Sequence, residues 1–262
     1  MSVHETTITG STGCLGCHRG TYERPLSMAF QPIVDLSRGD VFAYEALVRG
    51  PNGEGAGAVI AAVTPAEMYG FDQACRVTAI ETAALLGLGA ATAALSINFM
   101  PNAVYEPRAC IRATLQAAAR VGFPTDRLIF EITESEAVID PDHLARIVAA
   151  YRAMGFRTAI DDFGAGYSNL NLLAQFHPDI VKLDRALIAG IDADPVRRCL
   201  VRHCVSLCAE LDIAVIAEGI ETSAEYHTLA GLGVTLMQGY FLARPGFQTL
   251  PAPFIAPPFT AH

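Results

Sequence analysis

The feature that most constrains this chain is a rhythm. Short β-type runs alternate with helical stretches, and nearly every run contributes a polar group in or just past its C-terminal part. The runs are Met28–Leu36, Val41–Val48, Leu95–Phe99, Leu128–Ile132, Arg157–Asp161, Ile180–Leu183, Ala214–Ala217 and Leu236–Leu242. Helical patterns occupy Pro65–Leu86, Ala103–Val121, Pro141–Met154, Ser168–Gln175, Arg185–Leu211 with a break near Asp192–Pro195, and Ser223–Leu232. Strands separated by helical crossovers lie parallel, so the pattern predicts an α/β fold. Eight such strands close into a (β/α)8 barrel, with a doubly wound open sheet as the alternative. The first two runs are joined only by Ser37-Arg38-Gly39-Asp40. A parallel crossover needs about a dozen residues or more, so these two runs form an antiparallel hairpin. The expected fold is therefore a TIM-like (β/α)8 barrel with one antiparallel strand.

One core suffices for 262 residues of which 52% are hydrophobic. The expected division is an N-terminal appendage over 1–25, a barrel over 26–250 and a Pro-rich tail over 251–262. A net charge of −9 argues against the broad cationic surface that DNA binding requires. No apolar run reaches the ~18 residues of a bilayer span. The N-terminus has neither a basic start nor an apolar signal core, so the expectation is a cytoplasmic protein without a membrane span. The seven cysteines are odd in number and lie mostly within apolar or helical patterns, as reduced thiols do.

In such a barrel the side chains at the C-terminal strand ends meet at one mouth. The strand ends carry Glu45, Asn98, Glu131 and Glu134, then Asp161 and Asp162, Lys182 and Asp184, Glu218 and Glu221, and Gln238. Like charges brought together out of water repel, so the set demands a compensating cation. All-oxygen donors without His or Cys favour Mg²⁺ or Mn²⁺ over Zn²⁺. The adjacent aspartates suggest two ions, an arrangement suited to polarising a phosphodiester. Lys182 would orient the attacking hydroxide or stabilise the leaving alkoxide, and Arg49 would hold a phosphate. An enolase-like or aldolase-like barrel, with one Mg²⁺ and Lys182 as base or Schiff-base amine, is compatible with the same residues.

The motifs Phe30-Gln31-Pro32-Ile33, Glu45-Ala46-Leu47-Val48-Arg49, Asn98, Phe130-Glu131-Ile132-Thr133-Glu134, Asp161–Leu170, Lys182-Leu183-Asp184, Ala217–Thr222 and Gln238-Gly239-Tyr240 together resemble the EAL domains, cyclic di-GMP phosphodiesterases. The resemblance runs from about Phe30 to Pro245 and implies hydrolysis of cyclic di-GMP to linear pGpG with two Mg²⁺ or Mn²⁺ ions. It implies one metal on Glu45, Asn98, Glu131 and Asp161, and a second on Asp161 and Asp162. Glu218 matches a glutamate described either as a second-metal ligand or as general base, and Lys182 the lysine that contacts the attacking water. Glu221 and Gln238 would complete the shell, while Gln31, Arg49 and Asp184 would face the dinucleotide. Glu134 would anchor the glycine-containing loop after Asp162, in which Ala165 and Asn169 depart from the usual Thr and Ser.

The stretches Gly50–Gly55 and Tyr69–Arg76 are similar to those of a subgroup coupled in other proteins to blue-light flavin sensors, and no such sensor fits in the 25 residues before the barrel. The expectation is regulation through a homodimer, the appendage or a regulatory protein partner. A catalytically silent cyclic di-GMP receptor or protein-interaction module is the alternative. Cys14, Cys17 and His18 have the spacing of half a Zn²⁺ site, of a c-type haem attachment or of two exposed thiols on a tail; haem loading would need an export signal that the chain does not show.

Overall fold

The computed structural model describes residues 22–101, 104, 106–133, 141–165, 170, 173–174 and 177–255. Eight strands close a barrel: β1 Ser27–Asp35, β2 Asp40–Arg49, β3 Ala94–Phe99, β4 Leu128–Thr133, β5 Arg157–Phe163, β6 Ile180–Leu183, β7 Ala214–Ala217 and β8 Leu236–Met237. Neighbouring strands from β2 to β8 are parallel, and β1 closes the ring antiparallel to both β8 and β2. The short connection forces that hairpin. Asp35 Oδ1 accepts from Ser37 N (2.9 Å) and Ser37 Oγ (2.6 Å), and Gly39 takes a positive φ of 67°.

A ninth strand, β9 Gly246–Phe247, pairs with β1 at Ala29 and Phe30, in a stretch read from sequence as barrel end and tail. Pro32 lacks a donor and lies on β1 between its β9 and β8 pairings, where no ladder bond is needed. Past β9, Pro251 accepts from the Tyr44 hydroxyl (3.0 Å) and Phe254 N donates to Leu242 O (2.8 Å). At the other end Tyr22 packs edge-on against Phe71, and Arg24 donates to Ala62 O and Glu67.

The described helices are α1 Ala56–Ala61, α2 Met68–Leu85, α3 Pro107–Cys110, α4 Arg112–Val121, α5 Pro141–Ala153, α6 Arg185–Ile188, α7 Pro195–Glu210 and α8 Ser223–Gly231. The break expected near Asp192–Pro195 separates α6 from α7. Asp194 caps α7 by accepting from Val196 N and Arg197 N, with Pro195 in the first turn, where its missing N–H costs nothing. Three expectations shift. The Gly-rich segment after β2 contains α1, which buries Val59. The helix expected over Ala103–Val121 is two pieces among the described residues. The last strand stops at Met237 rather than Leu242, because the chain turns at Gly239 against the backbone of Ile220. The helix expected over Ser168–Gln175 falls largely outside the described residues.

Each strand contributes one residue to an apolar floor inside the barrel: Ile33, Ala43, Ala94, Ile129, Ala159, Ile180, Ile216 and Leu236. The rest of the core lies between the outer face of the barrel and its helices, around the mutually packed rings of Phe99, Phe130, Tyr151 and Phe156.

Candidate active site

Side chains two residues apart on a strand share a face. Two positions past each floor residue, toward the mouth, stand Glu45, Ser96, Glu131, Asp161, Lys182, Glu218 and Gln238; β1 runs backwards, so its counterpart, Gln31, precedes Ile33. The polar ring is thus the layer directly above an aliphatic one. It opens into a cavity of about 350 Å³ lined by Gln31, Glu45, Asp161, Asp162, Lys182, Asp184, Arg185, Glu218, Glu221, Gln238 and Tyr240, together with Gly219 and Gly239.

Lys182, 1% exposed, is the hub. Its Nζ donates to Glu131 Oε2 (2.7 Å) and lies 2.7 Å from Glu218, 3.0 Å from Asp161 and 3.7 Å from Glu45. Ser96 Oγ donates to the other oxygen of Glu131 (2.5 Å). Asn98 Nδ2 and Gln238 Nε2 hold the two oxygens of Glu45 at 3.2 and 2.7 Å. Among the described groups, the oxygens of Glu45, Glu131 and Asp161 come within 4.8 Å of one another, and so do those of Asp161, Asp162 and Glu218. Asp161 belongs to both sets.

Two adjacent residues of a regular strand point to opposite faces, yet Asp161 and Asp162 both reach the mouth. The β5–β6 register shifts between Ile160 and Phe163, and Asp162 takes a φ of 56°. This bulge turns the second carboxylate inward. Gly164 follows at φ 103°, where a Cβ would lie 2.2 Å from Leu187 Cδ1. Gly239 is required for a different reason. A Cβ there would sit 2.1 Å from Ile220 O, and the close approach lets Ile220 N donate to Gln238 O (3.1 Å) while Gln238 N donates to Ala217 O (2.8 Å).

Charge is far from balanced, with one ammonium facing four carboxylates. Burial works against the charge of Lys182, but Asp161, Glu131, Glu218 and Glu45 outweigh it and hold its pKa well above the usual value. Burial pushes Glu131 up to about 8, Lys182 opposing, and drives Glu218 well above its ordinary range. Burial and the charge of Asp161 raise Asp162 to about 6. For Asp161 burial is overcome by Lys182, and the carboxyl lies below its usual value. Carboxylates reluctant to ionise around a filled ammonium mark a site built for further positive charge. The oxygen donors and the absence of His or Cys from the cavity lining suit Mg²⁺ or Mn²⁺.

Of the remaining sequence-derived residues, Gln31 donates to Ala243 O (3.1 Å), Asp184 caps α6 at Ala186 N (2.7 Å) and Glu221 pairs with Arg185 (2.8 Å). Arg49 donates to Val48 O (2.8 Å) and is not among the residues lining the cavity. Glu134, Cys14, Cys17 and His18 lie outside the described residues. Sequence reasoning missed Ser96, Arg185 and Tyr240 as site residues. Ser96 was legible as the period-two neighbour of Asn98, Arg185 adjoins Asp184, and Tyr240 lies two residues past Gln238.

Fold and site together define a barrel protein with an acidic, cation-seeking mouth. The chain belongs to the EAL-domain family, whose sequence model matches residues 21–245. It is 31% identical over 225 residues to the blue light- and temperature-regulated antirepressor BluF of Escherichia coli K12, an alignment covering 86% of this chain and 55% of BluF. The chain thus spans just over half the length of that relative. Several shorter alignments are to proteins named cyclic di-GMP phosphodiesterases. A standalone versatile EAL protein from Vibrio cholerae O395, solved with c-di-GMP bound, superposes with a TM-score of 0.85 at 52% identity, covering 89% of this chain and 98% of that one. Klebsiella pneumoniae BlrP1 in its manganese/cy-diGMP complex gives a TM-score of 0.82 at 33% identity, covering 89% and 60%.

Proposed function

We propose that this chain hydrolyses cyclic di-GMP to linear pGpG, using two Mg²⁺ or Mn²⁺ ions. The observation that carries the reading is the pair of three-carboxylate sets sharing Asp161. Glu45, Asn98, Glu131 and Asp161 would hold one ion, and Asp161, Asp162 and Glu218 the second. Bound there, the ions would neutralise the phosphodiester and make a water nucleophilic near neutral pH.

The protein's own groups do the rest. Lys182, whose ammonium lies within 4 Å of four carboxylates, serves as a donor that orients the attacking water or stabilises the departing oxygen. Gln238 and Asn98 hold Glu45 from both sides so that its oxygens keep their direction. Gln31, Asp184, Glu221 and Arg185 line the walls where the rest of the dinucleotide would lie, and the exposed Tyr240 offers a ring at the rim for a base to stack on. Complexes of relatives with c-di-GMP, one containing manganese, support the substrate and the metal.

The reading extends to a cytoplasmic homodimer answering to a regulatory protein partner, with Glu134 anchoring the loop after Asp162, Arg49 turning toward substrate on binding, and Zn²⁺ on Cys14, Cys17 and His18. The deciding experiment is cyclic di-GMP turnover with Mg²⁺ or Mn²⁺, resolved by chromatography beside Glu45→Ala and a Ca²⁺ control. Linear pGpG that vanishes in Glu45→Ala supports the enzyme. Binding without product favours the silent receptor or interaction module, a use in keeping with the antirepressor name of one relative.

A further inference from the structure

We infer that Asp72, held by Arg76, is a positioning residue for the metal site, acting through the end of β3 on Asn98; the inference rests on the metal-holding role proposed above for Asn98. Asp72 and Arg76 lie one turn apart on α2 and are 3% and 0% exposed. Arg76 Nη2 donates to Asp72 Oδ2 at 2.5 Å, and Nη1 reaches Thr114 Oγ1 on α4 at 3.3 Å. Neither residue lines the mouth cavity. The other carboxylate oxygen, Asp72 Oδ1, accepts from the backbone N–H of Met100 at 3.0 Å.

Met100 is the first residue past β3 and two past Asn98. The β2–β3 ladder ends at Ala46↔Ile97, so on the β2 side no sheet pairing restrains Asn98, although its amide must reach across to Glu45 there. On the β4 side the ladder continues through Asn98↔Glu131 and Phe99↔Ile132. The Asp72 bond begins where the first ladder stops. A buried ion pair is a poor way to gain stability, since apolar residues of similar volume often serve as well or better. What Asp72 supplies and an apolar residue cannot is a fixed hydrogen-bond acceptor for a strand-end N–H. Arg76 fixes that acceptor, Thr114 fixes Arg76, and Phe99 packs on Phe130 and Tyr151 beside it, while Asp72, Asn98 and Met100 border a cavity of about 270 Å³ where packing alone does not hold the strand end.

Two double variants of the full chain separate positioning from stability. Asp72→Leu/Arg76→Met removes the charges and the acceptor with apolar groups that a core tolerates. Asp72→Asn/Arg76→Gln removes the charges but keeps an oxygen for Met100 N. The readout is Mn²⁺ affinity by titration calorimetry, on protein shown folded by circular dichroism and well below its melting temperature. Positioning predicts Mn²⁺ binding weakened about ten-fold in the Leu/Met variant, as loss of a partner behind a metal ligand typically does. It also predicts rescue in the Asn/Gln variant and no additional loss when Leu/Met is combined with Asn98→Ala. A folded Leu/Met variant that binds Mn²⁺ as tightly as the parent, or whose loss adds in full to that of Asn98→Ala, overturns the inference. Parent protein that shows this Mn²⁺ pattern but turns over no cyclic di-GMP upholds the inference and removes the hydrolase reading; parent protein that binds no Mn²⁺ overturns both.

Discussion

The floor and the mouth of this barrel are built by the same eight strands, one side-chain step apart, and they obey opposite rules. The floor takes Ile33, Ala43, Ala94, Ile129, Ala159, Ile180, Ile216 and Leu236, all buried. One step up, burial is nearly as complete at Glu131 and Lys182, but the groups are charged. The difference teaches that the floor creates the mouth's chemistry. An aliphatic layer beneath Lys182 keeps water away from one side of the carboxylates, and that loss of hydration raises Glu131 and Glu218 and strengthens their attraction for a cation.

The comparison can be broken from either side. The largest effect is expected at Asp161→Asn, which removes the carboxylate common to both metal sets. Turnover in a saturating-substrate assay should fall on the order of 10³-fold, a loss typical of a key electrostatic group, while the melting temperature of the metal-free protein falls far less than in a floor variant, by the small contribution of a carboxyl that, despite burial, Lys182 holds below its usual value. If both fell together, the mouth would be structural in the same sense as the floor. Next comes Ile129→Ala in the floor, expected to cost about 2–5 kcal/mol in urea unfolding, with Mn²⁺ affinity little changed at temperatures where the variant remains folded. A smaller effect belongs to Thr222→Ala. Thr222 and Glu225 form a capping box on α8 just past Glu221, and losing the cap should cost about 1 kcal/mol, measured by thermal unfolding.

Much of this was legible in the sequence, for identifiable reasons. β-type runs separated by helical stretches located all eight barrel strands to within a few residues, apart from the far end of the last, and the four-residue first link is incompatible with a crossover. The polar ends of the runs located the mouth because period two fixes which side chains share a face. What escaped depends on contacts distant in sequence. β9 exists only because β1 has a free edge there. The last strand is cut short by the backbone of Ile220, twenty residues upstream of Tyr240. Arg49 stays paired with Ser27 of β1 and shares the alternation of Glu45, but it lies beyond Ala46, where pairing with β3 ends, and it does not line the cavity. The Asp161–Asp162 bulge is invisible to a strict period of two, although adjacent aspartates at a strand end hint at it.

The last prediction sharpens the comparison by sign. Glu131 and Glu225 are both buried carboxylates, one in the mouth and one under the β7–α8 connection. Burial raises Glu131 to about 8. For Glu225 burial is outweighed by backbone N–H donors from Gly190, Glu221 and Thr222, so its carboxyl lies below the usual value. A raised carboxyl binds its proton more tightly folded than unfolded. Its contribution is complete below the ordinary value of 4.5 and is lost as pH climbs toward about 8. A lowered carboxyl does the reverse: its contribution is present above the ordinary value and disappears as pH falls through the depressed one. In metal-free protein, Glu131→Gln should therefore flatten the loss of stability between about pH 5 and 8, and Glu225→Gln should flatten the loss on the acid side. Urea midpoints measured across pH for parent and both variants test this. Mn²⁺ should erase only the Glu131 slope, because a cation in the mouth takes the place of the proton there and has no counterpart at Glu225.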